Sequence, residues 1–269
     1  MKSKAKESNT SIALLIMCKD EFIKVKNIIK SLHSVIDEVV IVVTGNKKVK
    51  QSGSYKIIYY PWHDDYSAPL NAGLRVCESD WIFRMDTDEE IDEENIKKIL
   101  KAVKIKNVDA FEVSQRGYLQ PNRIEFGVKK VKPYKGYNNA VDDNCIRLFR
   151  NNPLIFFEFN THEHPYNTIK RARLRYVKTN IVIHHWGKLN MYKKAPYYYK
   201  IAKDRLRRYP EDIQSYYYLG VSAEFIGKIE IAYQAMKKGY EKFGTLNYKN
   251  AFEFLKEKRR IYDGRRKVS

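Results

Sequence analysis

Residues 80–90 read Asp80-Trp81-Ile82-Phe83-Arg84-Met85-Asp86-Thr87-Asp88-Glu89-Glu90. Trp81–Met85 predicts a strand, and the chain leaves it directly into a turn dense with carboxylates. Upstream, the apolar run Ile12–Cys18 and the β-branched run Glu38–Thr44 predict strands buried on both faces. Tyr55–Tyr60 predicts a further strand, stopped by Pro61. Between them Phe22, Val25, Ile28, Ile29 and Leu32 fall at helical spacing within Glu21–Leu32. Ala68–Val76 and Glu93–Val103 predict two more helices, with Pro69 tolerated in a first turn. This alternation implies an α/β fold built on a mostly parallel, doubly wound sheet. Such sheets bind ligands at the carboxyl ends of their strands, which is where the acidic turn lies.

The middle third changes character. Ala110–Val113, Cys145–Phe149 and Leu154–Phe159 predict short strands, with a basic loop, Gly127–Gly136, between the first two. Val177–His184 predicts the last strand. Beyond Gly187 the chain reads as helical: Tyr192–Tyr209, Asp212–Phe225, Ile229–Phe243 and Tyr248–Tyr262, punctuated by Pro210, Gly227 and Gly244. The domain division expected is therefore 1–188 and a helical region 189–269. Tyr216, Leu219, Gly220, Ala223 and Ala232 have spacings that resemble a tetratricopeptide repeat. A generic helical hairpin is the plainer alternative, since no second copy is visible.

Composition bounds the partners. In 269 residues, 51 basic side chains face 32 acidic ones, a net charge of +19. That excess suits an anionic neighbour, whether nucleic acid, a phospholipid surface or a phosphorylated substrate, and it also suits a merely lysine-loaded surface. The tracts Val128–Lys135, Lys256–Arg260 and Arg265–Lys267 concentrate it. Three cysteines, Cys18, Cys77 and Cys145, build no disulfide framework and no paired zinc motif, which favours a reducing compartment. Lys2, Lys4 and Lys6 precede an apolar run too short for a signal core. No segment approaches the roughly 20 apolar residues of a membrane span. The expectation is a cytoplasmic protein, at most peripheral on the inner membrane face.

Two carboxylates one residue apart, Asp86 and Asp88, can face one hard cation. Mg²⁺ or Mn²⁺ takes oxygen ligands and leaves positions open for phosphates. The competing explanation is an acidic helix N-terminus complementing a dipole.

At this point the chain resembles the family 2 glycosyltransferases of the GT-A fold, from about Ser11 to Gly187. Ile16-Met17-Cys18-Lys19-Asp20-Glu21 is similar to the family's first strand and Lys-Asn-Glu turn. Val35–Val42 resembles its second-strand start, and Pro61–Ala68 a tryptophan–acidic–aromatic–Ser segment of one subgroup. Asn71 falls where that subgroup has the Asn of an Arg-Asn pair. Arg147-Leu148-Phe149-Arg150, Thr161-His162-Glu163 and His185-Trp186-Gly187 resemble its Arg-x-Phe-Arg, His-Glu and late His-aromatic-Gly elements. The subgroup often carries tetratricopeptide-like helices after the catalytic domain, and includes envelope-glycan and bacteriocin-peptide glycosyltransferases.

The resemblance implies an inverting, metal-dependent transfer from a nucleotide-sugar. Asp20, Glu21, Thr44, Asp65, Asn71, Asp86, Arg147 and Arg150 would contact the donor. Asp86, Asp88 and His185 would hold Mn²⁺ or Mg²⁺, with His184 an alternative to His185. Glu163 would be the general base. The acceptor would be an envelope glycan, with a peptide or nucleic acid as alternatives. Three positions depart from the pattern. Val43 stands where an Asp before Thr44-Gly45 contacts the nucleobase, Leu70 replaces the Arg of the Arg-Asn pair, and Asp20 replaces the Asn of the first turn. These departures leave open a degenerate GT-A-like module that binds nucleic acid or an anionic membrane without turnover.

Overall fold

The structure, a computed structural model, describes residues 10–47, 55–121 and 127–266. Lys2, Lys4, Lys6, Lys267 and the Arg265 side chain lie outside the described residues. The chain divides into two compact units. The first comprises residues up to Tyr118 together with Ala140–Trp186. The second comprises Leu119–Asn139 and everything from Gly187.

The first unit is organised on β1 (Ile12–Cys18), β2 (Glu38–Val43), β3 (Lys56–Tyr59) and β4 (Trp81–Asp86). They lie in the order β3-β2-β1-β4, all parallel. Crossovers run through α1 (Phe22–Leu32) and α2 (Ser67–Leu74). β1 pairs with both β2 and β4, so the strand order reverses beside it. Ligands of open α/β sheets lie outside the carboxyl ends at such a point. After β4 come β5 (Glu89–Glu90), α3 (Glu93–Ala102), β6 (Ala110–Tyr118), β7 (Lys129–Tyr134), β8 (Tyr137–Arg150), α4 (Tyr166–Arg171) and β9 (Tyr176–His185). β8 runs antiparallel to β4 and to β6, β9 parallel to β6, and β5 antiparallel to β9, so the sheet is mixed beyond its parallel half.

The apolar runs are continuous because helices cover both faces. Ile12, Leu14, Ile16 and Cys18 pack with Val25, Ile28, Ile29 and Leu32 of α1 and Ile96 and Ile99 of α3. The alternate residues Ala13 and Leu15 pack on the other face with Leu70 of α2 and Ile169 of α4. Val43 belongs to the first layer and Leu70 to the second, so two of the departures from the family pattern are core side chains. Burial pushes the Cys18 and Cys77 thiols up to about 12, which makes them poor nucleophiles.

Two expected elements differ. The basic stretch expected as a loop is strand β7, paired with β8 and closed by Lys135 and Gly136, both at positive φ. Leu154–Phe159 is not a strand, although Ile155 and Phe157 are buried. Side chains take its backbone groups instead: Asn71 accepts from the Phe157 N–H at 2.8 Å and Thr168 from that of Phe156 at 3.3 Å.

Glu38 staples the amino ends of β2 and β4. Its carboxylate accepts the N–H groups of Glu78 (2.9 Å) and Ser79 (2.8 Å), the Ser79 hydroxyl (2.9 Å) and the Lys56 ammonium (2.8 Å). Burial opposes ionisation, but Lys56 and these donors outweigh it and lower the pKa from the ordinary 4.5. A depressed folded pKa contributes stability that is present above the unfolded value and lost as pH falls through the folded one. Glu38→Gln is expected to cost about 1–3 kcal/mol at neutral pH. Urea midpoints measured against pH should show the gap from wild type closing below about pH 4.5. A gap that is constant down to pH 3 would contradict this role.

In the second unit, 3₁₀ residues Gly187–Asn190 lead into α5 (Met191–Arg208), α6 (Ile213–Phe225), α7 (Ile229–Phe243) and α8 (Leu246–Arg266). Each helix packs on the next. Gly239 lets α7 and α8 approach, since a Cβ there would lie 2.1 Å from the Tyr248 ring. Arg205 is fully buried, paired with Asp212 at 2.8 Å beneath the Tyr218 ring. Ala223, Ala232 and Met236 share the core of this unit with Tyr248. Among the described residues no helix is long and apolar enough to cross a membrane.

Candidate active site

The carboxyl ends of β1, β2 and β4 meet at one edge. Met17 of β1 is in register with Asp86 of β4, and Cys18 with Val43 of β2. Past β1, Glu21 folds back so that its carboxylate accepts the N–H groups of Lys19 (2.9 Å) and Asp20 (3.1 Å). Past β2, the Thr44 N–H donates to the Cys18 carbonyl at 2.9 Å, tying the two strand ends. Gly45 sits so close that a Cβ would fall 2.1 Å from the Lys19 carbonyl oxygen and 2.5 Å from Asp20 Oδ1. Asp20 Oδ1 is buried and has no hydrogen-bond partner.

Beyond Asp86 the chain turns back as β5, whose Glu89 and Glu90 pair with His185 and His184 of β9. The Trp186 N–H donates to the Asp88 carbonyl at 2.9 Å. This register sets His185 Nε2 3.6 Å from Asp88 Oδ1. Burial opposes protonation of His185, yet Asp88, with Glu89 and Asp86 behind it, outweighs burial and holds the imidazole above the ordinary histidine range. His184 is committed elsewhere. Its Nδ1 bonds the Tyr118 hydroxyl at 2.8 Å and its Nε2 bonds Asp92 at 3.1 Å, while Asp92 also caps α3 through the Asn95 N–H. The acidic helix start is thus served by Asp92, and the Asp86–Glu89 carboxylates face inward.

Asp86 is gripped by two arginines. Its Oδ2 accepts from Arg84 at 2.6 Å and from Arg147 at 2.8 Å. Arg147 also reaches Glu89 at 2.7 Å, and Glu89 in turn accepts the Asp86 N–H and the Gln115 amide. Arg84 reaches across to Glu163 at 2.6 Å. Burial, reinforced by Asp86, pushes the Glu89 carboxyl up, with Arg84 pulling it back. Asp86, Asp88, Glu89 and Glu163 thus share the site with two guanidiniums, Arg84 and Arg147, and with the His185 imidazole.

Glu163 rides on a loop that α2 holds in place. Asn71 exchanges two hydrogen bonds with the Phe157 backbone (2.9 and 2.8 Å), and the Tyr66 N–H donates to the Asn160 carbonyl at 3.0 Å. Asp65 anchors the start of α2 by accepting from Ser67 and Ala68. Phe159 and His162, neither a glycine, sit at φ 76° and 49°, so the loop carries backbone strain beside Glu163.

Asp86, Asp88, Arg147, Glu163 and His185 are therefore brought together, and Asp20, Glu21 and Thr44 line the neighbouring strand ends. Asp65 and Asn71 instead support the Glu163 loop. Arg150 is not brought to the acidic turn: it pairs opposite Trp81, at the start of β4. There its guanidinium stacks 4.6 Å from the Trp81 ring, bonds the Val108 carbonyl and lines a cavity of about 480 Å³ with Glu78 and Asp80. Among the described residues no cluster of three or more His, Cys, Asp or Glu side chains is disposed to hold a metal ion, because Asp86 is turned onto its arginines. Asp88 and His185 remain as an adjacent oxygen–nitrogen pair, and His185 Nδ1 is buried without a partner. Arg84 and Glu89, central here, were not singled out in the sequence. A charged residue inside an otherwise apolar strand, as Arg84 is in Trp81–Met85, is the signal that marks such a position.

The family model described as "Glycosyl transferase family 2" matches residues 15–197. The chain belongs to glycosyl transferase family 2. Its mixed α/β sheet is the GT-A arrangement that the motif order implied. Among curated relatives, the SPbeta prophage-derived glycosyltransferase SunS of Bacillus subtilis is 23% identical over 202 residues, covering 73% of this chain and 44% of that one. A TPR repeat-containing protein of Synechococcus elongatus is 27% identical over 157 residues, 56% of this chain and 34% of that one. The chain thus spans less than half the length of the curated relatives it matches. Among solved structures, residues 1–349 of Staphylococcus aureus TarS in complex with UDP-GlcNAc superpose with a TM-score of 0.45 at 12% identity, covering 93% of this chain and 92% of that one.

Proposed function

We propose that this chain is an inverting glycosyltransferase that moves a sugar from a nucleoside diphosphate donor to an acceptor hydroxyl or thiol, with a divalent cation. The observation that carries the reading is the link, through Arg84, of Asp86 at the carboxyl end of β4 to a carboxylate from a separate loop, Glu163, with the Asp88–His185 pair on the turn that follows Asp86. The donor's nucleoside would lie across Asp20, Glu21, Thr44 and Gly45, at the carboxyl ends of β1 and β2, where the buried Asp20 Oδ1 has no partner within the protein. Asp86 and Arg147 would face the ribose and diphosphate. Asp88 and His185 would hold Mn²⁺ or Mg²⁺, whose remaining positions suit phosphate oxygens and water. When bound, the cation supplies Lewis-acid neutralisation of the departing diphosphate.

Glu163 would take the proton from the acceptor as its oxygen or sulfur attacks the anomeric carbon. The carbon–diphosphate bond breaks on the opposite face, which inverts the configuration. The carboxylate must keep its position on a loop, and Arg84, Asn71 and Tyr66 supply that restraint. The helical region 189–269, with its tetratricopeptide-like spacing, would bind the acceptor, and the lysines of β7 and α8 favour an anionic one, an envelope glycan before nucleic acid or peptide. The absent nucleobase carboxylate at Val43 weakens the case for a uridine donor specifically. The remaining sequence reading, a degenerate module without turnover, finds less support: the carboxylates that chemistry needs are present and held.

A donor panel separates these. Nucleotide-sugars added with Mn²⁺ are expected to raise the melting temperature, more than without it, and one of them to be slowly hydrolysed. Binding of polyanions with no hydrolysis of any donor would favour the degenerate module.

A further inference from the structure

We propose that Arg84 is a positioning residue that fixes the acceptor-side base relative to the donor-side carboxylate. The inference rests on the reading of Glu163 as base. Arg84 lies on β4, among the most buried strands of the sheet, and its side chain is 3% exposed. Its two terminal nitrogens go to carboxylates 77 residues apart in the sequence: Nη1 to Asp86 and Nη2 to Glu163, each at 2.6 Å. One rigid, planar fork therefore sets the spacing between the two.

The two ends of the fork are not equivalent. Asp86 Oδ2 is also held by Arg147, whose guanidinium is itself anchored on Glu89. Asp86 thus keeps a cationic partner if Arg84 is lost. Glu163 lies on an irregular, strained loop, and Arg84 links its carboxylate to the central strand β4. Burying such a cluster gains little stability, because desolvation offsets the Coulomb attraction. Arg84 Nε is buried without a hydrogen-bond partner, a further cost. A group kept at that cost in the central strand, beside the acidic turn, is accounted for by geometry: misplacing a reacting group by about 1 Å costs about 10²-fold in rate.

A double-mutant cycle tests this, with kcat, donor KM and directly measured donor Kd, in Mn²⁺, for wild type, Arg84→Met, Glu163→Gln and the double variant. Arg84→Met should lower kcat by about 10²-fold. Donor Kd should stay within about threefold, the scatter expected of uncoupled sites. In the Glu163→Gln background the same change should cost less than about threefold, because the base it positions is gone. Arg84→Lys, which keeps the charge and loses the fork, should restore part of the activity. Costs that multiply in the double variant, or a loss that lies wholly in donor Kd, would overturn the proposal and assign Arg84 to Asp86 alone. If Glu163→Gln retains full kcat, the base reading itself falls, an outcome distinct from a failed cycle with an inactive Glu163→Gln. Should Arg84→Met not fold, Arg84→Lys carries the cycle: a lowered kcat that vanishes without Glu163 supports the proposal, and wild-type kcat overturns it.

Discussion

Asp88→Asn should abolish sugar transfer while leaving the melting temperature nearly unchanged. Asp88 sits on the turn between β4 and β5, its side chain 24% exposed and its carboxylate 3.6 Å from His185 Nε2. The pair is worth about 1 kcal/mol to the fold, because His185 can lose its proton once the carboxylate is gone and leaves no uncompensated buried charge. Its worth to the reaction is of another order. Removing the carboxylate takes away the charge that would hold the cation against the diphosphate, and losing one preorganised electrostatic group typically costs about 10²–10³-fold. Asp88→Asn keeps the volume of the side chain and leaves the backbone hydrogen bond from the Trp186 N–H to the Asp88 carbonyl in place. Transfer assays with and without excess chelator check this. Full activity of the variant, or of wild type in chelator, would remove the cation from the account.

Glu163→Gln should lower turnover by about 10²–10⁴-fold, the range for loss of a general base. Donor affinity should survive, because Glu163 belongs to the loop after β8 and not to the strand ends that would hold the nucleotide. The substitution also leaves Arg84 facing an amide in place of a carboxylate across 2.6 Å. Some loss of melting temperature is therefore expected, and turnover must be scored on folded protein. If donor binding collapses while turnover per bound donor is maintained, Glu163 is part of the donor site.

The parallel half of the sheet was legible because both its faces are covered, which leaves apolar runs at Ile12–Cys18 and Val39–Val43 and one broken only by Arg84 at Trp81–Met85. Helices α1 and α5–α7 were legible from spacing and from Pro210, Gly227 and Gly244. β7 was not, because an edge strand carrying Lys129, Lys130 and Lys132 has the composition of a solvated loop. Leu154–Phe159 misled in the opposite direction: its apolar side chains fill the core, but Asn71 and Thr168 occupy its backbone groups in place of a neighbouring strand. β5 spans two residues, too short for any periodicity, yet its register with β9 is what selects His185 over His184.

The same physics explains the site. Asp86, Asp88, Glu163 and Arg147 stood out as motif residues and the structure gathers them. Glu89 did not, since its partners come from β8 and β6, and Arg84 carried only the mark of a charge inside an apolar strand, its partner on the loop after β8 being out of reach of any local pattern. Arg150 shares a motif with Arg147 but sits three residues further along β8. An odd offset turns alternate strand side chains to opposite faces, and each step along β8 leads away from the carboxyl end of β4.

The most direct test of the central claim is the configuration of the first-formed sugar. An α-linked nucleoside diphosphate sugar, incubated with the chain and Mn²⁺ and followed by proton NMR before mutarotation, should release nucleoside diphosphate together with the β-anomer. Asp88→Asn should give neither. First appearance of the α-anomer would contradict single displacement assisted by Glu163, and no turnover of any donor across a full panel would contradict the assignment of this site as a glycosyltransferase centre.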